Sequence, residues 1–341
     1  TIGVIGPNAD NRRSLDGNYE GTSSRYITVL EGIQDYVGDD VRVLYSEGCH
    51  FFRDQINPMA FKNDRIGEIK EICDESDVVI AVMGLDGTLE GEEGDTGSDY
   101  GMGDKPYLSL PGIQHDILKI AKESGKPVIL VNMTGSAMTL NWEAENLDGI
   151  IQGWYPGARG GRAIARLLFG EANFEGRLPV TFYKTMEELP DFIDYSMKNR
   201  TYRYMKNEAL YPFGYGLSYT EFEYENTAFT VDKDNVIINT TVKNTGKTDG
   251  IETVQVYVGA REEWAPNPQL KKLEKVSLKA GEAKSLEISL AREAFEVFNE
   301  AGEAVICKKY DVYVGGSQPD LRSAALLGRK PAHMEVRECF I

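Results

Sequence analysis

The residues of this sequence best suited to chemistry lie in Gly84-Leu85-Asp86-Gly87-Thr88-Leu89-Glu90-Gly91-Glu92-Glu93-Gly94-Asp95. Carboxylates packed this closely oppose one another's ionisation, and a partly buried one holds a proton near neutral pH. Such an acid can protonate a departing glycosidic oxygen, and its conjugate base can then activate water. The same oxygens could instead form a solvated acidic loop or a calcium site, but their spacing does not follow the EF-hand pattern. No metal and no cofactor are expected.

Other chemistries find less support. Gly3-Val4-Ile5-Gly6-Pro7-Asn8-Ala9 lacks the third glycine of a dinucleotide loop and has no following GK[ST]. No GxSxG elbow occurs, and His50, His115 and His333 do not form an HExxH pair. Cys49, Cys73, Cys307 and Cys339 share no CxxC spacing and are read as free structural thiols. Trp154, Tyr155, Tyr202, Tyr204, Tyr211, Phe213, Tyr215 and Tyr219 could stack on sugar rings, but a folded segment also buries such rings as core, the reading favoured for each.

The elements that must position the acidic stretch are legible upstream and downstream of it. Thr1 to Gly6, Val41 to Tyr45, Val78 to Met83 and Pro127 to Asn132 are apolar runs suited to parallel strands covered on both faces. Between the last two, Ile113, Ile117, Leu118, Ile120 and Ala121 recur at helical spacing, and a further helix follows Gly160-Gly161. Strand–helix alternation predicts an α/β fold, a three-layer α/β/α sandwich with a mostly parallel sheet, over residues 1–215. The acidic stretch directly follows the strand ending at Met83, and open parallel sheets bind ligands beyond the carboxyl ends of their strands. The loop before the helix near Pro111 is also long for a βα link, which favours function.

From residue 222 to 341 the pattern changes to short strands with turn-rich links, such as Asn244 to Gly250 and Lys279 to Glu282. That predicts an all-β, fibronectin type III-like sandwich. Residues 171–221, rich in Pro, Gly and Tyr, read as an ordered connector.

Composition bounds the partners. A net charge of -17 over 341 residues argues against nucleic acid, whose phosphates select Lys and Arg clusters. No apolar run reaches the roughly 18 residues of a membrane span. The chain enters a strand at Thr1 without an initiator methionine, so a piece of a longer protein is expected. No basic region followed by an apolar one marks a signal peptide, which tilts the expectation towards the cytoplasm.

Several motifs together resemble glycoside hydrolase family 3. They are VIGPNA at Val4 to Ala9, GNYEG at Gly17 to Gly21, WYPG at Trp154 to Gly157, and FGEANFEGRLPVTF at Phe169 to Phe182. RTYRY at Arg200 to Tyr204 and YPFGYGLSYT at Tyr211 to Thr220 continue the series in order. The resemblance implies an exo-acting, retaining β-glycosidase acting on terminal β-D-xylosyl or β-D-glucosyl residues of a β-linked oligosaccharide or aryl glycoside. It also implies that the acid/base glutamate lies in the acidic loop: Glu92 first, Glu93 second, Glu90 less favoured. Family members show an Asp-Arg pair after this glutamate; here it is Asp104-Lys105. The family's nucleophilic aspartate stands on a barrel domain, and no SDW or KHF sequence marks one here. The chain alone is therefore expected to be inactive and to need that barrel, encoded in the same gene or on another chain. An apolar patch near the acidic loop, or a homo-oligomer covering it, is expected as well. A carbohydrate-binding or interaction module without catalysis is the alternative.

Overall fold

The structure, a computed structural model, describes residues 1–18, 21–56, 58–94, 99–232 and 235–337. Tyr19 and Glu20 of GNYEG, Asp95 of the acidic stretch and Cys339 lie outside the described residues. The chain divides into two compact units, Thr1–Ala172 and Asn173–Ile341.

In the first unit, β1 (Ile2–Ile5), β2 (Val43–Ser46), β3 (Val78–Gly84), β4 (Val128–Met133) and β5 (Gly149–Gln152) form one parallel sheet in the order β2-β1-β3-β4-β5. The helices are α1 (Arg13–Asp16), α2 (Val29–Val37), α3 (Ile66–Glu75), α4 (Gln114–Glu123), α5 (Asn141–Asn146) and α6 (Gly160–Leu168). Alternate strand residues point to opposite faces. Val4, Ile80, Val82, Val131 and Met133 meet Val29, Leu30 and Ile33 of α2 and Ile164 and Ala165 of α6. On the other face α3 packs against α4, and Gly3 lies so near α3 that a Cβ there would meet Ile72 Cγ2 at 2.8 Å. Cover on both faces is the physical reason the strands read as unbroken β-branched runs.

Two local devices set α2. Thr28 Oγ1 accepts from Glu31 N at 3.2 Å while Thr28 N donates to Glu31 Oε2 at 2.8 Å, a reciprocal capping box. At the crossing with α6, a Cβ on Gly161 would lie 1.8 Å from Thr28 O, so only glycine permits this approach.

The second unit is antiparallel. β6 (Phe222–Asp232), β7 (Asn235–Asn244) and β10 (Ala283–Ala291) form one sheet, in the order β10-β7-β6. β8 (Gly250–Ala260), β9 (Gln269–Leu278), β13 (Lys309–Gly315) and β14 (Ala332–Arg337) form the other, in the order β14-β13-β8-β9, and β11 (Glu296–Phe298) pairs with β12 (Ala304–Ile306). Ile238, Val242, Val256, Val258, Leu290 and Val312 are among the core residues that both sheets contribute.

β8 is buried along nearly its whole length because its second face is covered too. Gln255 Nε2 donates to Gly214 O at 2.9 Å, and the Tyr202 ring stands edge-on to Tyr257. Tyr202 stacks on Phe213 with centroids 4.2 Å apart, and Tyr211 on Tyr215 at 5.6 Å. Tyr202, Tyr211, Phe213 and Tyr215 thus pack as core, whereas Phe192, Tyr195 and Tyr219 are exposed. Glu252 of β8 is fully buried and ion-paired with Arg177 at 3.0 Å and Arg329 at 3.4 Å, and it accepts from Tyr224 Oη at 2.9 Å.

Candidate active site

The strand order reverses direction of growth between β1 and β3, which opens a crevice at their carboxyl ends. The acidic loop starts there. Gln114 of α4, fully buried, clamps its root: Oε1 accepts from Gly84 N at 2.7 Å, and Nε2 donates to Gly84 O at 2.8 Å and Phe51 O at 2.9 Å. From the β1 side, Asn8 Nδ2 donates to Leu85 O at 2.7 Å. Asp86 Oδ1 accepts from Thr88 N at 2.9 Å and Thr88 Oγ1 at 2.6 Å. Its carbonyl accepts from Leu89 N and Glu90 N, both at 3.0 Å. Asp86 is buried and shapes the turn rather than facing a ligand.

The glutamates then separate. Glu90 turns inward, its side chain only 16% exposed. Its Oε2 accepts from Gly135 N at 2.7 Å and Tyr155 Oη at 2.8 Å, its Oε1 accepts from Ser136 Oγ, and Lys105 Nζ lies 4.0 Å from Oε1. Glu92 and Glu93 are exposed. Both border an open cleft of about 530 Å³, together with Asn18, Glu90, Asp104 and Tyr155.

A backbone clip holds this rim. Gly91 N donates to Gly103 O at 2.8 Å and Gly94 N to Met102 O at 2.7 Å, so residues 91–94 are pinned against the returning strand of the loop. Gly103 has φ +125°, and a Cβ there would lie 2.0 Å from Glu92 O. Any larger residue would displace the backbone that carries Glu92.

Burial dominates the electrostatics around Glu90. Lys105 is held down to about 8 because burial of its ammonium outweighs the attraction of Glu90. Its Nζ donates to Ala137 O at 2.6 Å. The Tyr155 phenol is pushed far up by burial, and the neighbouring Glu90 charge adds to the effect, so Tyr155 remains a donor. Tyr100 is raised to about 12 by burial, Glu90 and Tyr107. The arrangement suits an enclosed carboxylate, Glu90, behind accessible ones, Glu92 and Glu93.

The remaining titratable residues named from sequence are engaged elsewhere. His115 Nδ1 lies 2.6 Å from Glu143 Oε1, with its ring edge-on to Trp142. His50 Nδ1 accepts from Phe52 N at 3.2 Å and Arg53 N at 3.1 Å. His333, in the second unit, stacks on Tyr313 and approaches Asp311 Oδ1 at 2.6 Å. Cys49, Cys73 and Cys307 are free and buried, and burial raises the first two to about 12 and about 11, unsuited to nucleophilic thiolate chemistry. Among the described residues, no group of three or more His, Cys, Asp or Glu side chains could hold a metal ion, and no helix is long and apolar enough to cross a membrane.

Sequence reasoning did not single out Gly135, Ser136 or the part that Tyr155 plays at Glu90. The signal that could have found them is positional, since residues 134–136 directly follow β4 and Tyr155 follows β5.

Comparison with known proteins shows the family of the chain. The glycosyl hydrolase family 3 C-terminal domain matches residues 1–219, and a fibronectin type III-like domain matches residues 252–318. The chain is 41% identical over 248 residues to a xylan 1,4-β-xylosidase of Xylanibacter ruminicola, covering 71% of this chain and 29% of that protein. It is 32% identical over 348 residues to a periplasmic β-glucosidase of Salmonella typhimurium, covering 92% and 44%. The crystal structure of a β-glucosidase from Listeria innocua in complex with isofagomine superposes with a TM-score of 0.79 at 27% identity, over 98% of this chain and 46% of that one. The chain thus spans less than half the length of these relatives.

Proposed function

The chain belongs to glycosyl hydrolase family 3, and from that premise we propose that it is the acid/base half of an exo-acting, retaining β-glycosidase. Glu92 is the acid/base carboxylate, with Glu93 the alternative, and the aspartate nucleophile stands on a barrel domain outside this chain. The substrate is a β-linked oligosaccharide or aryl glycoside with a terminal non-reducing β-D-xylosyl or β-D-glucosyl residue. The observation that carries this reading is the division of labour in the acidic loop. Glu90 also lines the cleft but is enclosed and held by internal partners, whereas Glu92 stands exposed at its rim on a clipped backbone.

In this reaction Glu92, protonated, gives its proton to the glycosidic oxygen as the C–O bond breaks and the aspartate takes the sugar. The resulting carboxylate then removes a proton from the water that hydrolyses the glycosyl-enzyme. Retention needs the two carboxyl groups about 5–5.5 Å apart, so the barrel must close over the rim of the cleft. Met102 and Tyr107, 55% and 58% exposed on the acidic loop, are apolar surface suited to that contact. Assayed alone, this chain releases no nitrophenol from aryl β-xylosides or β-glucosides; sustained turnover by a barrel-free preparation would refute the split pair.

Glu92→Gln in the complete enzyme tests the assignment. The amide is nearly isosteric, so folding is retained. Hydrolysis slows by roughly 10²–10⁴-fold for substrates with poor leaving groups, and much less for activated aryl glycosides in the glycosylation step. Azide, which needs no general base, restores turnover and yields a glycosyl azide. The same pattern at Glu93 instead moves the role by one residue, and its absence at both removes the loop from the chemistry.

A further inference from the structure

The Glu90 carboxylate joins three loops that follow three adjacent strands. Gly135 N and Ser136 Oγ donate to it from the end of β4, Tyr155 Oη donates from beyond β5, and Lys105 faces it from the returning part of the β3 loop. Both members of the Glu90–Lys105 pair are enclosed, their side chains 16% and 10% exposed. A carboxylate offers about four lone-pair positions. Three donors occupy three of them, and Lys105 Nζ, 4.0 Å from Oε1 and itself bonded to Ala137 O, adds charge beside the carboxylate without a hydrogen bond. Two residues further on the chain reaches Glu92, and the intervening Gly91 N is itself bonded to Gly103 O at 2.8 Å. The segment from 90 to 92 is therefore anchored at its buried end by a side chain and at its rim by backbone.

We infer that Glu90 is a positioning residue for Glu92: by cross-linking the loops after β3, β4 and β5 it fixes the height and direction at which the Glu92 carboxylate enters the cleft. The inference rests on the acid/base reading of Glu92. Groups that transfer protons must be held within about 0.5 Å of their working geometry, and a displacement of about 1 Å can cost about 100-fold in rate. A short tether from a buried ionic anchor supplies that precision on a loop that otherwise borders solvent.

The test is a double-mutant cycle on the complete enzyme, with an alkyl β-glycoside as the poor-leaving-group substrate. Glu90→Ala lowers kcat by about 100-fold and moves KM by less than about threefold. On the Glu92→Gln background the same change costs less than about threefold, because no acid remains to be positioned. Glu90→Gln recovers most of the rate: its amide oxygen still accepts from Gly135 N and Tyr155 Oη, and Ser136 Oγ can turn to accept from the new NH2. Equal losses on both backgrounds would mean that Glu90 only supports the fold, and would overturn the inference. If Glu92→Gln alone has no effect, the acid/base reading fails first and this inference falls with it, a distinguishable outcome. Should Glu90→Ala not fold, Tyr155→Phe and Ser136→Ala, each removing one donor, run the same cycle with an expected loss of about tenfold.

Discussion

Lys105 should make the stability of this protein rise with alkalinity over a defined window. Its ammonium is held down to about 8 from an ordinary 10.5, because burial disfavours the charge more than Glu90 at 4.0 Å restores it. Below about pH 8 both the folded and the unfolded chain carry this proton, and the cost of burying it is constant. Between about 8 and 10.5 the folded chain has released it while the unfolded chain still binds it. Stability rises with pH wherever the unfolded state binds more protons. At about 1.4 kcal/mol per pH unit, the window is worth about 3 kcal/mol in favour of folding, complete near pH 10.5. Lys105→Met removes the titration while keeping a long apolar stem, so every other ionisation cancels when the variant is subtracted from the wild type. Urea unfolding at pH 7, 8, 9, 10 and 10.5 is the assay. The stability of the wild type relative to the Met variant climbs by about 3 kcal/mol across the series. Lys105→Arg keeps its charge throughout and lacks the climb. A flat or falling difference between wild type and the Met variant would refute the claim that burial controls this group.

Two further substitutions probe the clip and the second unit. Gly103→Ala puts a Cβ 2.0 Å from Glu92 O at φ +125°. It should cost about 1–3 kcal/mol of stability and lower kcat of the complete enzyme on poor leaving groups at least about tenfold; a crystal structure of the variant with Glu92 unmoved would contradict this. Arg177→Met leaves the fully buried Glu252 with only Arg329 at 3.4 Å and the Tyr224 hydroxyl. Denaturant unfolding should show a loss of about 3–5 kcal/mol, mostly recovered when Glu252→Leu is added.

Sequence alone determined the layered α/β unit, the antiparallel unit after it and the family, and it pointed to the acidic loop that the proposal builds on. The runs at 78–83 and 127–132 were legible because strands covered on both faces leave no polar alternation. β5, four half-buried residues ending at Gln152, carries no such run and was missed. α3 was missed as well, since its buried positions are only Ile69, Ile72 and Cys73 among charged neighbours. Within the loop, Glu90 and Glu92 have nearly the same local surroundings, each a glutamate beside Gly91. The family resemblance ranks Glu92 ahead of Glu90, and the tertiary structure supplies the physical difference between them. The donors that hold Glu90 come from Gly135, Ser136 and Tyr155, 45 to 65 residues away. They reach it because the parallel sheet sets the ends of β3, β4 and β5 side by side. A carboxylate's role depends on which donors surround it, and at such separations the chain's path through space supplies them.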